Sequence, residues 1–298
     1  MPQRAVILWS HPEVEALTQD RHVNVKFWSV GTIFLAAVAV VTTLGLTPRG
    51  KHERLGVILL HGKFGTPDDR KSGLTFIARN LESMGHLAAV PAMPWGENWE
   101  TIAQGVPEVL ETIDGLAAAL RASGAGRIVI GGHSMGANVA LTYAVTRGNI
   151  AGLVMVAPGH RPNDLVLSDE RVRTAIAEAQ RLDRAGRGDE LFSGPDVPWG
   201  EQIMLMTRAG TYLSWMDPQG LAAMNAQAPR LASSIPLLMV VGRRDSYFEQ
   251  AEAAVYKPAA RHPYSRYLPV GADHSTTAMA ALTPIVQWID GLPSAATN

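Results

Sequence analysis

Short apolar runs alternate with amphipathic stretches along most of the chain. The runs are nearly continuous, as is typical of strands that a parallel sheet buries on both faces. They predict strands at residues 55–60, 87–90, 128–130, 151–156, 235–241 and 264–270. Apolar side chains at helical spacing predict three helices. The first is capped by Asp68 or Asp69 and ends near Met84, and the others run from about Thr101 to Arg121 and from about Thr276 to Ile289. We therefore expect an α/β fold, with a mostly parallel sheet flanked by helices.

The alternation breaks over about residues 159–232. A charged amphipathic pattern from Ser168 to about Arg187 predicts a helix, and Pro195, Pro198 and Gly200 mark a loop after it. The rest of this segment is interpreted as helical or irregular. We expect it to form a cap, inserted into the fold as a lid.

An uncharged apolar segment of twenty residues, 27–46, lies near the N-terminus. Its length is typical of a membrane span. Residues 25–47 are interpreted as a membrane anchor or a signal peptide, with a buried helix of the folded domain as the alternative. An anchor or a signal peptide would place the domain of residues 52–292 outside the cytoplasm, as a periplasmic, secreted or membrane-anchored protein. Residues 1–24 form a polar extension. If translation starts at Val25 instead of Met1, this extension is not part of the protein.

Composition narrows the chemistry that the domain can carry. The hydrophobic share of 47% is enough for a sizeable core, and the net charge of −1 comes without a basic stripe. We therefore expect no nucleic-acid partner. The chain has no cysteine, which excludes disulfides, thiolate metal sites and cysteine nucleophiles. No spacing resembles a metal motif such as H-E-x-x-H, so we expect no metal and no other cofactor.

The segment around Ser134 carries the strongest chemical signal. A β-branched run leads into Gly132-His133-Ser134-Met135-Gly136, and a helical pattern follows. A strand, G-x-S-x-G and a helix in this order predict a nucleophile elbow, a strained turn that exposes the serine hydroxyl. Both glycines are needed because side chains at these positions would collide across the turn. A glycine turn with an ordinary serine is the alternative interpretation.

Two further polar residues, Asp245 and His274, each follow an apolar run, as Ser134 does. The carboxyl ends of parallel strands lie along one edge of a sheet, so we expect the three side chains to meet. His274 would accept the Ser134 proton as general base, and Asp245 would orient the imidazole and stabilise its charged form. Asp273 and Asp217 are weaker alternatives for the acid.

The motif His61-Gly62-Lys63-Phe64-Gly65 directly follows the first predicted strand. Its loop can turn a backbone N–H toward the nucleophile, and we expect the N–H groups of Lys63 and Met135 to form an oxyanion hole. Aromatic side chains are the candidates for substrate binding, unless they simply pack within the fold. These are Phe64, Trp95, Tyr212 and Trp215.

Four motifs resemble those of the α/β-hydrolase superfamily: HGKFG at 61–65, GHSMG at 132–136, GRRD at 242–245 and GADH at 271–274. The resemblance covers about residues 55–290. It implies an α/β-hydrolase fold with a mostly parallel eight-stranded sheet and a cap between the sixth and seventh strands. Here the cap is expected to be helical, and a hydrophobic helix is expected before the domain. No obvious pair of strands precedes residue 55, so the first two strands of the family's sheet have no counterpart in this sequence.

The same resemblance implies hydrolysis of an ester, thioester or amide through an acyl-enzyme. We expect a carboxylesterase or lipase-like serine hydrolase that acts on a small-molecule ester or acyl substrate. A cofactor-free haloperoxidase or perhydrolase, which resembles the same superfamily, is one alternative, and a non-catalytic binding protein with this fold is another. Contact with a membrane is expected only through residues 25–47, if they are not cleaved.

Overall fold

Strands and helices alternate through most of the computed structural model, which describes residues 53–68 and 73–294. In chain order the elements are β1 (Leu55–Leu60), α1 (Leu74–Ser83), β2 (Leu87–Ala89), α2 (Val106–Ala122), β3 (Arg127–His133), α3 (Met135–Arg147), β4 (Gly152–Val156), α4 (Pro162–Ser168), α5 (Glu170–Arg184), β5 (Leu191–Asp196), β6 (Ile203–Arg208), α6 (Ala209–Met216), α7 (Met224–Gln227), β7 (Leu237–Gly242), α8 (Phe248–Ala251), α9 (Lys257–Ala259), β8 (Arg266–Val270), α10 (Thr277–Ala280) and α11 (Leu282–Asp290).

The expected polar extension and apolar segment, residues 1–47, lie outside the described residues. Among the helices that the structure describes, none is both long and apolar enough to cross a membrane.

A six-stranded sheet with the order β2-β1-β3-β4-β7-β8 forms the centre of the described fold. Every neighbouring pair is parallel, as the apolar runs predict. The carboxyl ends of all six strands therefore lie on one edge. From β1 the chain passes to β2 on one side and later to β3 on the other, so the order reverses at β1 and β3. Open sheets bind their ligands at such a reversal, beyond the carboxyl ends of the strands.

Helices cover both faces of the sheet. Alternate residues along a strand face opposite sides, so β3 directs Ile128 and Ile130 to one layer and Val129 to the other. The first layer contains the apolar sides of α2 and α3, and the second contains those of α1 and α11. Full burial of a side chain of this size contributes about 1.5–3 kcal/mol to stability. The two layers hold the strand ends, and the residues that follow them, in fixed positions.

Two predicted helix starts differ from the structure. The pattern predicts that the first helix is capped near Asp68, whereas α1 begins at Leu74, after Gly73 with a φ of 72°. The second is predicted from about Thr101, but α2 begins at Val106 because residues 99–101 form a separate 3₁₀ turn. Polar residues near a helix start favour capping without fixing the residue at which the helix begins.

The segment between β4 and β7 departs from the alternation and is only partly helical. Besides α4 to α7 it contains an antiparallel pair, β5 with β6. Gly194 and Pro195 are typical of loops, so the sequence pattern predicts no strand at β5. The partner strand has the two-residue period of a sheet with one buried face, since Leu205 is buried while Met204 and Met206 are exposed.

Candidate active site

Ser134 lies at the turn between β3 and α3. Its backbone has φ 56° and ψ −122°, a conformation that is costly for a residue with a side chain. The turn persists because its surroundings hold it, and the Ser134 N–H donates to the Val156 carbonyl at 3.0 Å. The serine therefore stands at the carboxyl edge of the sheet and at the N-terminus of α3, where the helix dipole favours negative charge.

Gly132 and Gly136 flank the turn and leave no room for side chains. A Cβ on Gly136 would approach the Leu60 carbonyl oxygen to 2.2 Å, and a Cβ on Gly132 would approach the Gly136 carbonyl carbon to 2.5 Å. Both neighbours are main-chain atoms that cannot rotate away. The glycine spacing of the motif therefore has the steric cause that the sequence analysis assigns to it.

The His274 imidazole lies between Ser134 and Asp245. The Ser134 hydroxyl donates to Nε2 at 2.9 Å, and Nδ1–H donates to Asp245 Oδ2 at 2.7 Å. Both are ordinary hydrogen-bond lengths. The three residues follow β3, β7 and β8, so the parallel sheet brings together side chains that are far apart in the sequence.

Asp245 is buried and accepts a second hydrogen bond from the Tyr247 N–H at 2.9 Å. Burial by itself raises the pKa of this carboxyl, but the hydrogen bonds from His274 and Tyr247 outweigh it and hold the pKa below its usual range. The carboxylate is therefore ionised at neutral pH, which keeps the proton on Nδ1 and leaves Nε2 as the acceptor. The two other candidate acids are engaged in local turns, Asp273 with Thr276 and Asp217 with the Gln219 N–H.

Two neighbours restrict the position of His274. The His133 Nε2–H donates to the His274 carbonyl at 2.8 Å, so His133 has a structural role here. On the other side, Gly159 provides the space for the reacting groups. A Cβ there would lie 2.7 Å from Ser134 Oγ and 2.8 Å from His274 Cε1. Gly159 follows a predicted strand on the carboxyl edge, but no motif in the sequence marks it as part of the site.

The loop after β1 is attached to the segment after β2 through His61. The Met93 N–H donates to His61 Nε2 at 2.9 Å, and the His61 Nδ1–H donates to the Gly62 carbonyl at 2.8 Å. Trp95 donates its indole N–H to the His61 carbonyl at 2.8 Å. A further bond, from the Phe64 N–H to the Trp95 carbonyl, measures 3.0 Å. His61 therefore organises this loop.

Lys63 and Met135, the residues expected to form an oxyanion hole, both border the cleft that contains Ser134. Met135 is the first residue of α3, so no carbonyl within the helix accepts its N–H. In the part of the chain that the structure describes, the Lys63 N–H also has no hydrogen-bond acceptor. Two unpaired backbone donors therefore lie in residues next to the nucleophile.

A cleft of about 480 Å³ opens over Ser134. Its walls come from residues 158–161 after β4, residues 196–200 at and beyond the end of β5, and residues 245–247 after β7. This volume falls within the range of small-molecule sites. Trp199 stands at the mouth of the cleft and is 73% exposed.

The aromatic residues expected to contact substrate lie elsewhere. Trp95, Tyr212 and Trp215 are fully buried, and each donates its polar hydrogen to a backbone carbonyl. None of the three borders the cleft that contains Ser134, and neither does Phe64, whose ring packs beside Trp199 at 5.6 Å between centroids. An indole or phenol is readily buried when its polar hydrogen finds a partner, which explains this placement.

The cleft instead contains charged and polar groups that the sequence analysis does not assign to it. His160 and Arg161 follow β4, so their signal is their position after a predicted strand. Asp196, at the end of β5, forms an ion pair with Lys63 at 2.5 Å and has no such signal. Among residues 53–68 and 73–294, no group of three or more acidic or histidine side chains is placed to hold a metal ion.

A serine at a strained turn between a central parallel strand and a helix has the geometry of a nucleophile elbow. The sequence matches the alpha/beta hydrolase family over residues 57–284, and the chain belongs to this family. No match was found among curated proteins.

Several solved structures share the fold. A monoacylglycerol lipase of Paleococcus ferrophilus has a TM-score of 0.56 at 19% identity, covering 80% of this chain and 95% of that one. A thermostable carboxyl esterase of Bacillus coagulans, in complex with glycerol, has a TM-score of 0.55 at 16% identity, covering 82% and 91%. A structure reported with the metagenome-derived lipolytic enzymes LipS and LipT has a TM-score of 0.53 at 17% identity, covering 79% and 91%.

Proposed function

We propose that the protein is a serine hydrolase that cleaves carboxylic esters through an acyl-enzyme. Ser134 is the nucleophile, His274 the general base and Asp245 the acid that orients the imidazole. One observation carries the proposal: an unbroken chain of two hydrogen bonds runs from the Ser134 hydroxyl through His274 to a buried carboxylate. This arrangement supports a catalytic protein rather than a binding protein with the same fold.

The geometry supports a two-step reaction. Ser134 Oγ attacks the ester carbonyl carbon as His274 Nε2 accepts its proton, and a tetrahedral intermediate forms. His274 then gives the proton to the departing alcohol, which leaves an acyl group on Ser134. In the second step a water molecule replaces the alcohol and His274 again acts as the base, so the acid is released and Ser134 regains its proton. The Asp245 carboxylate stabilises the imidazolium in both steps.

The negative oxygen of each tetrahedral intermediate needs hydrogen-bond donors. We assign this role to the backbone N–H groups of Lys63 and Met135, because both residues border the cleft and neither N–H has a protein acceptor among the described residues. The N-terminus of α3 adds a favourable dipole at the same place. Removal of one such donor from an oxyanion hole typically slows catalysis about 10²- to 10³-fold.

The substrate class follows from the cleft and the family. A cleft of about 480 Å³ admits a small ester. The solved structures with this fold include a monoacylglycerol lipase and a carboxyl esterase, which supports an ester ahead of a thioester or an amide. Fold alone does not define a substrate, so these relatives support an ester only together with the geometry of the site.

Hydrolysis of p-nitrophenyl acetate and butyrate tests the proposal. Ser134→Ala should lower kcat at least about 10³-fold, because it removes the nucleophile. Ser83→Ala, at an exposed serine near the end of α1, is the matched control and should retain wild-type rates. Absence of hydrolysis by the wild type, or equal rates in Ser134→Ala, would count against an esterase. Bromination that depends on halide and peroxide, without ester cleavage, would favour a haloperoxidase.

We also propose, from the sequence alone, that residues 25–47 direct the domain out of the cytoplasm as an anchor or a signal peptide. Cell fractionation with N-terminal sequencing tests this. Recovery in the membrane pellet with this segment intact indicates an anchor, and a mature N-terminus beyond residue 47 outside the cytoplasm indicates cleavage. Recovery in the cytosol alone would contradict the proposal.

A further inference from the structure

A buried ion pair joins the loop after β1 to the segment between β4 and β7. Lys63 Nζ lies 2.5 Å from Asp196 Oδ2, and the two side chains are only 9% and 1% exposed. Asp196 is the last residue of β5, and 133 residues separate the partners. Both residues border the cleft that contains Ser134.

The surroundings of the pair fix its geometry. Asp196 Oδ2 also accepts the Trp99 indole N–H at 2.8 Å, and Oδ1 accepts the Val197 N–H at 2.8 Å. The Lys63 ammonium stands over the Trp99 ring, 4.6 Å from its centroid. Its third neighbour is His160 Nδ1 at 3.5 Å. Burial and the nearby Lys63 charge lower the pKa of His160 to about 4, so this ring is neutral and Nδ1 is an acceptor.

The Lys63 backbone N–H is left available in a loop whose neighbouring backbone groups are hydrogen-bonded. Phe64 and Gly65 each donate a backbone N–H within or next to the loop, to the carbonyls of Trp95 and Gly62. Within the described residues, Lys63 makes no backbone hydrogen bond of its own. The peptide unit that contains this N–H is held at its other end, because the Gly62 carbonyl accepts hydrogen bonds from His61 Nδ1–H and the Gly65 N–H. The Lys63 side chain adds a further restraint, and it is the one that connects this peptide to β5.

Stability alone does not explain a charged pair at this place. Two ions lose their hydration on burial, and apolar side chains of similar volume are often equally stable or more stable. What the ion pair adds is a defined distance between two segments, since an ammonium and a carboxylate pair only in narrow geometries.

We propose that Asp196 is a positioning residue for the oxyanion hole: by holding the Lys63 ammonium, it holds the Lys63 backbone N–H where the tetrahedral intermediate needs it. The inference rests on the proposed esterase function. It also links the β5–β6 segment to the rate of the chemical step, because a shift of β5 would move the Lys63 peptide.

Three variants separate positioning from stability: Asp196→Asn, Lys63→Met and the double variant. Each single variant should lower kcat for p-nitrophenyl butyrate about 10- to 100-fold with KM within about threefold, since the interaction acts in the transition state. The inhibition constant of phenylboronic acid, which forms a tetrahedral serine adduct, should rise by the same factor as kcat/KM falls. Glu178→Gln, which disrupts an exposed ion pair in α5, is the matched control and should change neither.

The double variant decides between the two roles. It no longer buries an unpaired charge, so its urea midpoint should return toward that of the wild type. Under the proposal its kcat stays as low as in the single variants. Recovery of kcat in the double variant, or wild-type kcat in Asp196→Asn, would overturn the positioning role while esterase activity and Ser134 remained established. A wild type without Ser134-dependent activity would instead refute the function itself.

Discussion

Gly159→Ala adds a single methyl group beside the two reacting side chains. Gly159 does not adopt a positive φ, so the backbone accepts alanine without strain. The new Cβ would lie 2.7 Å from Ser134 Oγ and 2.8 Å from His274 Cε1. The perturbation therefore acts on the catalytic pair and leaves the sheet and its two apolar layers unchanged.

The size of the effect follows from these distances. Ordinary contacts begin at 3.4 Å, so Ser134 Oγ must move by about 0.7 Å or the imidazole must turn. A Ser134–His274 distance of 2.9 Å that grows by about 0.7 Å exceeds the length of a hydrogen bond. Misplacement on this scale costs about 10²-fold in rate, or about 2.7 kcal/mol in activation free energy.

Steady-state kinetics with p-nitrophenyl butyrate measure the effect of Gly159→Ala on catalysis, and urea unfolding measures its effect on stability. We expect kcat/KM to fall about 10²-fold while the unfolding free energy changes by less than about 1 kcal/mol. Gly115→Ala is the matched control, because no atom lies within 4 Å of its added Cβ on the exposed side of α2. It should keep full activity and gain up to about 1 kcal/mol of stability. If kcat/KM of Gly159→Ala stayed within threefold of the wild type, the Ser134–His274 contact would not limit the reaction.

Three further outcomes are expected. Gly136→Ala should destabilise the fold by more than about 3 kcal/mol, measured by urea unfolding, because its Cβ meets the Leu60 carbonyl at 2.2 Å; a stable variant would refute this steric argument. His133→Phe should lower kcat about 10-fold with little change in KM, because the His274 carbonyl loses a hydrogen bond of 2.8 Å. An unchanged kcat would show that His133 does not help to position His274. Burial and the Lys63 charge lower the pKa of His160 to about 4 in the folded protein, whereas its pKa in the unfolded chain is about 6.5. Between pH 4 and pH 6.5 the unfolded chain therefore binds more protons than the folded protein. Stability should therefore fall as the pH drops through this window, by up to about 1.4 kcal/mol per pH unit, and His160→Gln should lose this share of the slope in urea titrations at pH 7 and pH 5.

The parallel sheet and the elbow were predictable because their signals are local. A buried strand needs only a short apolar run, and the turn at Ser134 needs glycine at two fixed positions. The meeting of Ser134, Asp245 and His274 followed from one topological rule, since residues after parallel strands share an edge.

The walls of the cleft were not predictable in the same way. Tryptophan is common in binding surfaces, yet Trp95 and Trp215 are buried because each indole N–H donates to a backbone carbonyl. Which carbonyl accepts each hydrogen bond depends on the tertiary fold. The contact between Lys63 and Asp196 joins two segments 133 residues apart, one of them a strand that contains glycine and proline. No local pattern encodes such a pairing, because it arises only when the insertion packs against the sheet edge.

Labelling with a fluorophosphonate probe shows whether Ser134 is an activated serine, because the probe reacts covalently with such a hydroxyl. Wild-type protein and Ser134→Ala would be labelled at neutral pH, and the modified peptide would be identified by mass spectrometry. We expect one labelled peptide, which contains Ser134, and no labelling of the variant. A folded wild-type protein that stays unlabelled, or that carries the probe on another serine, would show that Ser134 is not the activated serine.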